Sequence, residues 1–195
     1  MQHFDIFHVI IRVKILIKMT FQKLLLKCAQ KDENAYIQLY RLFNKEVYNS
    51  CLRIVHNTED AEEIMQDAFL KVFEHIAEFQ GDEKHLAAYI RKIAVNLSLD
   101  LLRKKKKSFF ITLEDWSVED NLEEEPEEEI NFSIEKIKEK MEKLPTGYRL
   151  VLTLHLLENM EFKDIAQQMQ VQTSSVRSQY ARALSKLRNQ LQNNI

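Results

Sequence analysis

The chain has 195 residues, 45% of them hydrophobic and 30% charged, with a formal net charge of -2. That is the composition of a globular protein with real cores, and only Gly81, Gly147, Pro126 and Pro145 interrupt a sequence rich in Leu, Ile, Lys, Glu and Gln, so an almost wholly α-helical fold is predicted. Cys28 and Cys51 stand apart, without a CxxC or a His cluster at ligand spacing; they read as small core residues in a reducing compartment, and neither a disulfide framework nor a metal or cofactor site is expected.

The first apolar stretch, Val9 to Lys18, is broken by Arg12, Lys14 and Lys18. It is too short and too charged for a membrane span of roughly 20 residues, and its charges are in the wrong order for a signal peptide, so no membrane insertion is expected. Met19-Thr20-Phe21 reads as a natural beginning, which makes residues 1–18 an upstream extension. The alternative is a basic amphipathic strand or helix docked on the first domain.

From Asp32 the chain reads as successive helices. Asp32 caps one with Ala35, Leu39, Leu42, Phe43, Val47, Cys51 and Ile54 at spacings of three and four, a buried stripe. Asn57 or Thr58 caps the next, where Ala61, Ile64, Met65, Ala68, Val72, Phe73 and Ile76 face inward. Glu62, Glu63, Gln66, Asp67 and Lys71 are left in water, an unusually acidic outer face. A polar loop from Phe79 to His85 precedes a long helix from Leu86 to about Lys107, with Ile90, Ile93, Ala94, Leu97 and Leu101 inward and Arg91, Lys92, Asn96, Asp100 and Arg103 accessible. Its end, Arg103 to Lys107, is a run of five cations. Basic residues there complement the helix dipole, but a run that continues past the last apolar contact fits a phosphate backbone better. Phe79, Tyr89, Phe109 and Phe110 lie near this surface and, where exposed, could stack on unpaired bases.

Glu114 to Glu129 then holds ten carboxylates and no Lys or Arg. Like-charge crowding without apolar periodicity prevents this segment from burying a core, so it is read as a linker between two helical domains. The expected layout is an extension at 1–18, a first domain at 19–107, the acidic linker at 108–131 and a second domain at 132–195.

In the last third, Phe162 to Met169 and a second helical pattern from Ser174 are joined by Gln170 to Thr173. This is the outline of a helix-turn-helix, which places its second helix in a DNA major groove. Ala166 is the small residue that allows close packing, and Val176 is the apolar residue of the second helix that faces the core. Ser174, Ser175, Arg177, Ser178, Gln179 and Arg182 then point outward, a set able to meet phosphates and base edges. An ordinary helical hairpin carries much of the same pattern.

Taken together, the segment from Asp60 to Phe73 (DAEEIMQDAFLKVF), the segment from Tyr89 to Arg103 (YIRKIAVNLSLDLLR) and the helix-turn-helix resemble a bacterial sigma-70 family sigma factor of the extracytoplasmic-function group, over roughly residues 20–190 and in the family's order. The resemblance implies an all-α protein of two helical domains, a region 2-like bundle and a C-terminal helix-turn-helix domain, joined by an acidic flexible linker. It implies a cytoplasmic protein, not an enzyme, whose partners are core RNA polymerase, promoter DNA and an anti-sigma factor. Glu62, Glu63, Gln66, Asp67 and Leu70 would contact the polymerase clamp helices. Phe79, Gly81, Lys84 and His85 would hold a base flipped from the minus-ten element, and Arg91, Lys92, Asn96, Asp100, Arg103 and Lys104 would read or grip that strand. Thr173, Ser174, Ser175, Arg177, Ser178, Gln179, Arg182 and Lys186 would meet the minus-thirty-five DNA, with Ser174, Ser175, Arg177 and Gln179 nearest the bases and Arg182 and Lys186 on phosphates. The helices around Tyr148 to Leu157 resemble the part that binds the polymerase flap, and the linker would pass through the channel that later holds RNA. A solubilising spacer is the plainer reading of that linker.

Three positions depart from the family's usual pattern. Gln170 stands where the turn often has Gly, Tyr89 replaces a frequent Trp, and Val95 replaces a frequent basic residue beside Asn96. Two other functions compete. A stand-alone helix-turn-helix regulator would bind duplex DNA without polymerase, and a hydrolase would use the acidic residues, although no nucleophile, base and orienting group can be assembled from them.

Overall fold

The computed structural model describes residues 20–105 and 133–192, and every regular element in them is helical. The elements are α1 (20–29), α2 (Glu33–Val55), α3 (Thr58–His75), a short 3-10 turn (Ile76–Glu78), α4 (Glu83–Lys105), α5 (Ile134–Glu142), α6 (Thr146–Leu152), a π-helical segment (Thr153–Leu157), α7 (Phe162–Met169) and α8 (Thr173–Gln192). Tertiary contacts divide the chain into two compact units, one ending at Ser98 and the other starting at Leu99, so α4 contributes to both. The linker and the N-terminal extension proposed above lie outside the described residues, as do Phe109 and Phe110.

In the first unit the helix boundaries follow from caps. Asp32 accepts the Ala35 amide at 3.0 Å and starts α2, and Asn57, rather than Thr58, accepts the Asp60 amide at 2.8 Å and starts α3. The α2 stripe is buried as the spacing predicts, except that Leu42 is 54% exposed; it sits one position short of Phe43, on the shoulder of the stripe. On α3, Phe69 joins the buried set while Phe73 is half-buried and stacks on Tyr36 with ring centroids 4.3 Å apart. Cys28 and Cys51 are fully buried, and burial, with Asp32 nearby, pushes the Cys28 thiol up to about 11.

Helix α4 departs most from expectation. It starts at Glu83, because Asp82 accepts the His85 amide at 3.0 Å and so caps it; the polar loop is therefore shorter than 79–85, and Lys84 and His85 belong to the first helical turn. Its buried residues are Leu86, Ile90, Ala94, Val95, Ser98 and Leu99, whereas Ile93, Leu97 and Leu101 are only half-buried. Ser98 is tolerated in the core because its hydroxyl donates to the Ala94 carbonyl at 2.8 Å.

In the second unit Met141, Leu144, Leu152, Ala183, Leu187 and Leu191 form a core into which Ile137, Tyr148, Tyr180 and Leu184 pack. Arg149 donates to the Glu142 carbonyl at 2.8 Å, satisfying the end of α5. Among the described residues no helix is long and apolar enough to cross a membrane, and no group of three His, Cys, Asp or Glu could hold a metal ion.

Candidate nucleic-acid and protein interfaces

The outer face of α3 carries Glu62, Glu63, Gln66, Asp67 and Leu70, all exposed, because they are the positions left over when Ala61, Ile64, Met65, Ala68 and Phe69 turn inward. Leu70 is 59% exposed, an apolar residue at the end of a row of carboxylates. A surface of that kind presents negative potential with one hydrophobic anchor, the complement of a basic partner.

The loop before α4 is held in a defined shape. A Cβ on Gly81 would lie 2.8 Å from Phe79 Cζ and 2.9 Å from His85 Cβ, so close approach, not a left-handed backbone, requires glycine there. Gln22 on α1 donates to the Gly81 carbonyl at 3.1 Å. The Phe79 ring packs beside Tyr89, centroids 5.9 Å apart at 30°, and Tyr89 is 36% exposed. The His85 backbone amide and, second, its ring hold the Asp82 carboxyl below the usual carboxylate range; the ring Nδ1 lies 2.7 Å from Asp82 Oδ1.

Down α4, Tyr89, Lys92, Asn96, Asp100 and Arg103 recur at three- and four-residue spacing and so share one face. Lys92 and Lys104 are exposed and Asn96 half-buried. Two of the cations come with their own carboxylates: Arg91 is paired with Glu46 of α2, and Arg103 with Asp100. Val95 is part of the core, which explains why this chain carries no cation beside Asn96.

The helix-turn-helix forms as its spacing predicts. Ala166 and Val176 are both buried, and the turn closes with Gln170 in the left-handed region at φ 57° and ψ 40°. The Val171 amide donates to the Ala166 carbonyl at 3.0 Å and the Gln170 amide to Gln167 at 3.3 Å, the Schellman pattern. On α8, Ser174, Arg177 and Ser178 are exposed, and Thr173 and Ser175 are half-buried at its first turn. Gln179 is a correction: it is only 5% exposed. It lies three residues after Val176 and four before Ala183, so it belongs to the inward stripe and not to the outward set. Arg182 is likewise half-buried, and Lys186 is exposed with its Nζ 5.3 Å over the Tyr148 ring. Ser185 and Arg188, absent from the expected set, continue the line of Ser174, Arg177 and Ser178 along α8.

Sequence reasoning also missed a clasp on this unit. His155 Nδ1 lies 2.8 Å from the Met160 carbonyl and so donates to it; its ring stacks on Phe162 at 4.2 Å and meets Tyr180 edge-on at 4.9 Å. It ties the π-helical segment to the start of α7 and to α8, and leaves Leu156 and Leu157 exposed.

The family model "Sigma-70 region 2" matches residues 39–108 and "Sigma-70, region 4" matches residues 134–187, in that order and over most of the chain. The chain is 26% identical over 187 residues to the ECF RNA polymerase sigma factor SigW of Bacillus subtilis (strain 168), covering 89% of this chain and 98% of SigW. It is 25% identical over 154 residues to SigM of the same organism, covering 77% and 91%. Among solved structures, CnrH in complex with the cytosolic domain of CnrY aligns with a TM-score of 0.48 at 18% identity, over 90% of this chain and 99% of CnrH. With an acidic helical face in the first matched segment and a helix-turn-helix in the second, this chain belongs to the sigma-70 family, in its extracytoplasmic-function group.

Proposed function

We propose that this chain binds core RNA polymerase and directs promoter-specific initiation by melting and holding the minus-ten DNA with its first unit and reading the minus-thirty-five duplex with its second. The observation that carries the reading is the pairing, in one chain and in the family's order, of an exposed acidic ridge on α3 with an exposed Ser174–Arg177–Ser178 edge on α8.

Each part has a chemistry suited to its step. The ridge from Glu62 to Leu70 offers carboxylates and one apolar anchor to a basic surface of the polymerase. The loop around Gly81, with Phe79 beside Tyr89, gives an aromatic wall for one unstacked base; flipping costs a few kcal/mol, which stacking and phosphate contacts offset. Lys92, Asn96 and Lys104 supply donors along α4, while Arg91 and Arg103 would have to exchange their carboxylate partners for phosphates. On α8, Arg177 can meet a guanine edge in the major groove and the serines can meet phosphates or either base edge. Bond formation belongs to the polymerase; this chain supplies recognition and works in the cytoplasm, where polymerase and DNA are. An anti-sigma factor would act by covering the polymerase-binding or DNA-binding surfaces.

Runoff transcription tests this: bacterial core polymerase alone, with the protein, and with an Asn96→Ala/Arg103→Ala variant, on a library of promoter fragments. Promoter-specific transcripts that require the intact protein are the expected result. Duplex binding by the protein alone, with no retention by core polymerase and no specific start, would instead make it a stand-alone regulator.

A further inference from the structure

We propose that the groove between α1 and α2 is a docking site for an acidic amphipathic helix of a partner protein. The groove has a volume of about 670 Å³ and an aliphatic floor that includes Leu24 and Leu42. Leu42 is 54% exposed on that floor. An aliphatic floor left open between polar rims is the form of a protein-interaction site.

Charge decides which kind of protein. Lys23 and Lys27, one turn apart on α1, and Arg41 on α2 border the floor, against a single carboxylate among the described residues, Glu83. A helix laid in the groove would place apolar residues at i, i+3, i+4 and i+7 on Leu24 and Leu42 and carboxylates on its flanks beside the three cations. A basic helix would meet like charge on both walls. The floor is aliphatic, and the one ring that lines it among the described residues, Phe21, is only 6% exposed, so the described residues offer no exposed platform there on which single-stranded DNA would stack. This site is separate from the α3 ridge and from the Tyr89-to-Arg103 face of α4, and its assignment does not depend on the roles proposed for those surfaces. An occupant would nevertheless abut the minus-ten loop, because Glu83 opens α4 and Gln22 holds Gly81.

The test is selection of displayed 20-residue peptides of randomised sequence on the full chain. Enrichment of acidic sequences with helical apolar spacing, bound at least tenfold more weakly by Leu42→Asp and by Lys23→Glu/Lys27→Glu/Arg41→Glu, is the expected result. All four side chains are exposed, so these variants should retain the helical circular dichroism of the parent. Glu83→Gln provides the opposite arm: it should tighten the acidic peptides severalfold, a gain that misfolding cannot produce. Enrichment of basic or non-periodic peptides, indifference to Leu42 and the three cations, or preferential cross-linking of a single-stranded oligonucleotide to Lys23, Lys27 and Arg41 would each overturn the proposal.

Discussion

At Gln170 a side chain with a Cβ occupies the left-handed region, at φ 57°, to close the turn of the helix-turn-helix. That conformation costs about 1 kcal/mol for an L-residue and nothing steric for glycine. Gln170→Gly should therefore raise the stability of the C-terminal unit by about 1 kcal/mol, read as a higher denaturation midpoint, with unchanged duplex preference. The strain was legible in the sequence, since the motif's usual glycine is missing. Gln179 was not read correctly, and the reason is physical: a polar residue invites a functional role, whereas helical geometry alone puts position 179 in line with Val176 and Ala183. We expect Gln179→Ala to lower stability by about 1–2 kcal/mol and to leave base preference unchanged in a binding-site selection. A changed preference at one base pair would show that Gln179 turns outward on DNA.

Among the elements, caps were the most legible feature and α4 the least. Asp32 and the pair Asn57 and Thr58 announce their helices because a short acceptor side chain precedes an apolar period, and Asp32 and, of the pair, Asn57 form the caps. In α4 apolar residues occupy several faces, so Ile93 and Leu97 were as good candidates for the core as Val95 and Leu99, and only packing separates them. α4 starts earlier than its apolar period indicates, because the Asp82 carboxylate accepts the His85 amide. That bond holds the Asp82 carboxyl below its ordinary value, so its contribution to stability is full above the unfolded pKa of about 3.9 and is lost as pH falls through the lower folded value. Amide exchange at Lys84 and His85 should accelerate on acidification below about pH 4, relative to mid-helix amides and after correction for intrinsic rates. An Asp82→Asn variant, which still caps but does not titrate, should remove most of that dependence.

Across the whole molecule, charge segregation along the sequence sets the acidic face of α3 apart from the basic stretches, while the carboxylate partner of Arg91 was not legible. A row of arginines and lysines suggests free positive charge, yet Glu46 of α2 is brought beside Arg91 only by the fold, whereas Asp100, three residues before Arg103 on the same helix, is a pairing that helical spacing already offers. The two units should consequently fail at different steps when altered. Glu62→Lys/Glu63→Lys/Asp67→Lys reverses an exposed ridge without touching the core, so the protein should keep its fold but bind core polymerase at least tenfold more weakly, because each substitution replaces attraction by repulsion at a basic partner. Arg177→Ala should leave polymerase binding intact and weaken promoter binding by the holoenzyme by about 1–3 kcal/mol. If Arg177 meets a base edge, the loss is confined to one position of the upstream element; if it meets a phosphate, the loss is uniform across sequences and the salt dependence becomes shallower by about one ion. Measuring polymerase retention and promoter affinity on the same two variants separates the steps, since a shared failure of both assays by either variant would mean that the two surfaces do not act independently.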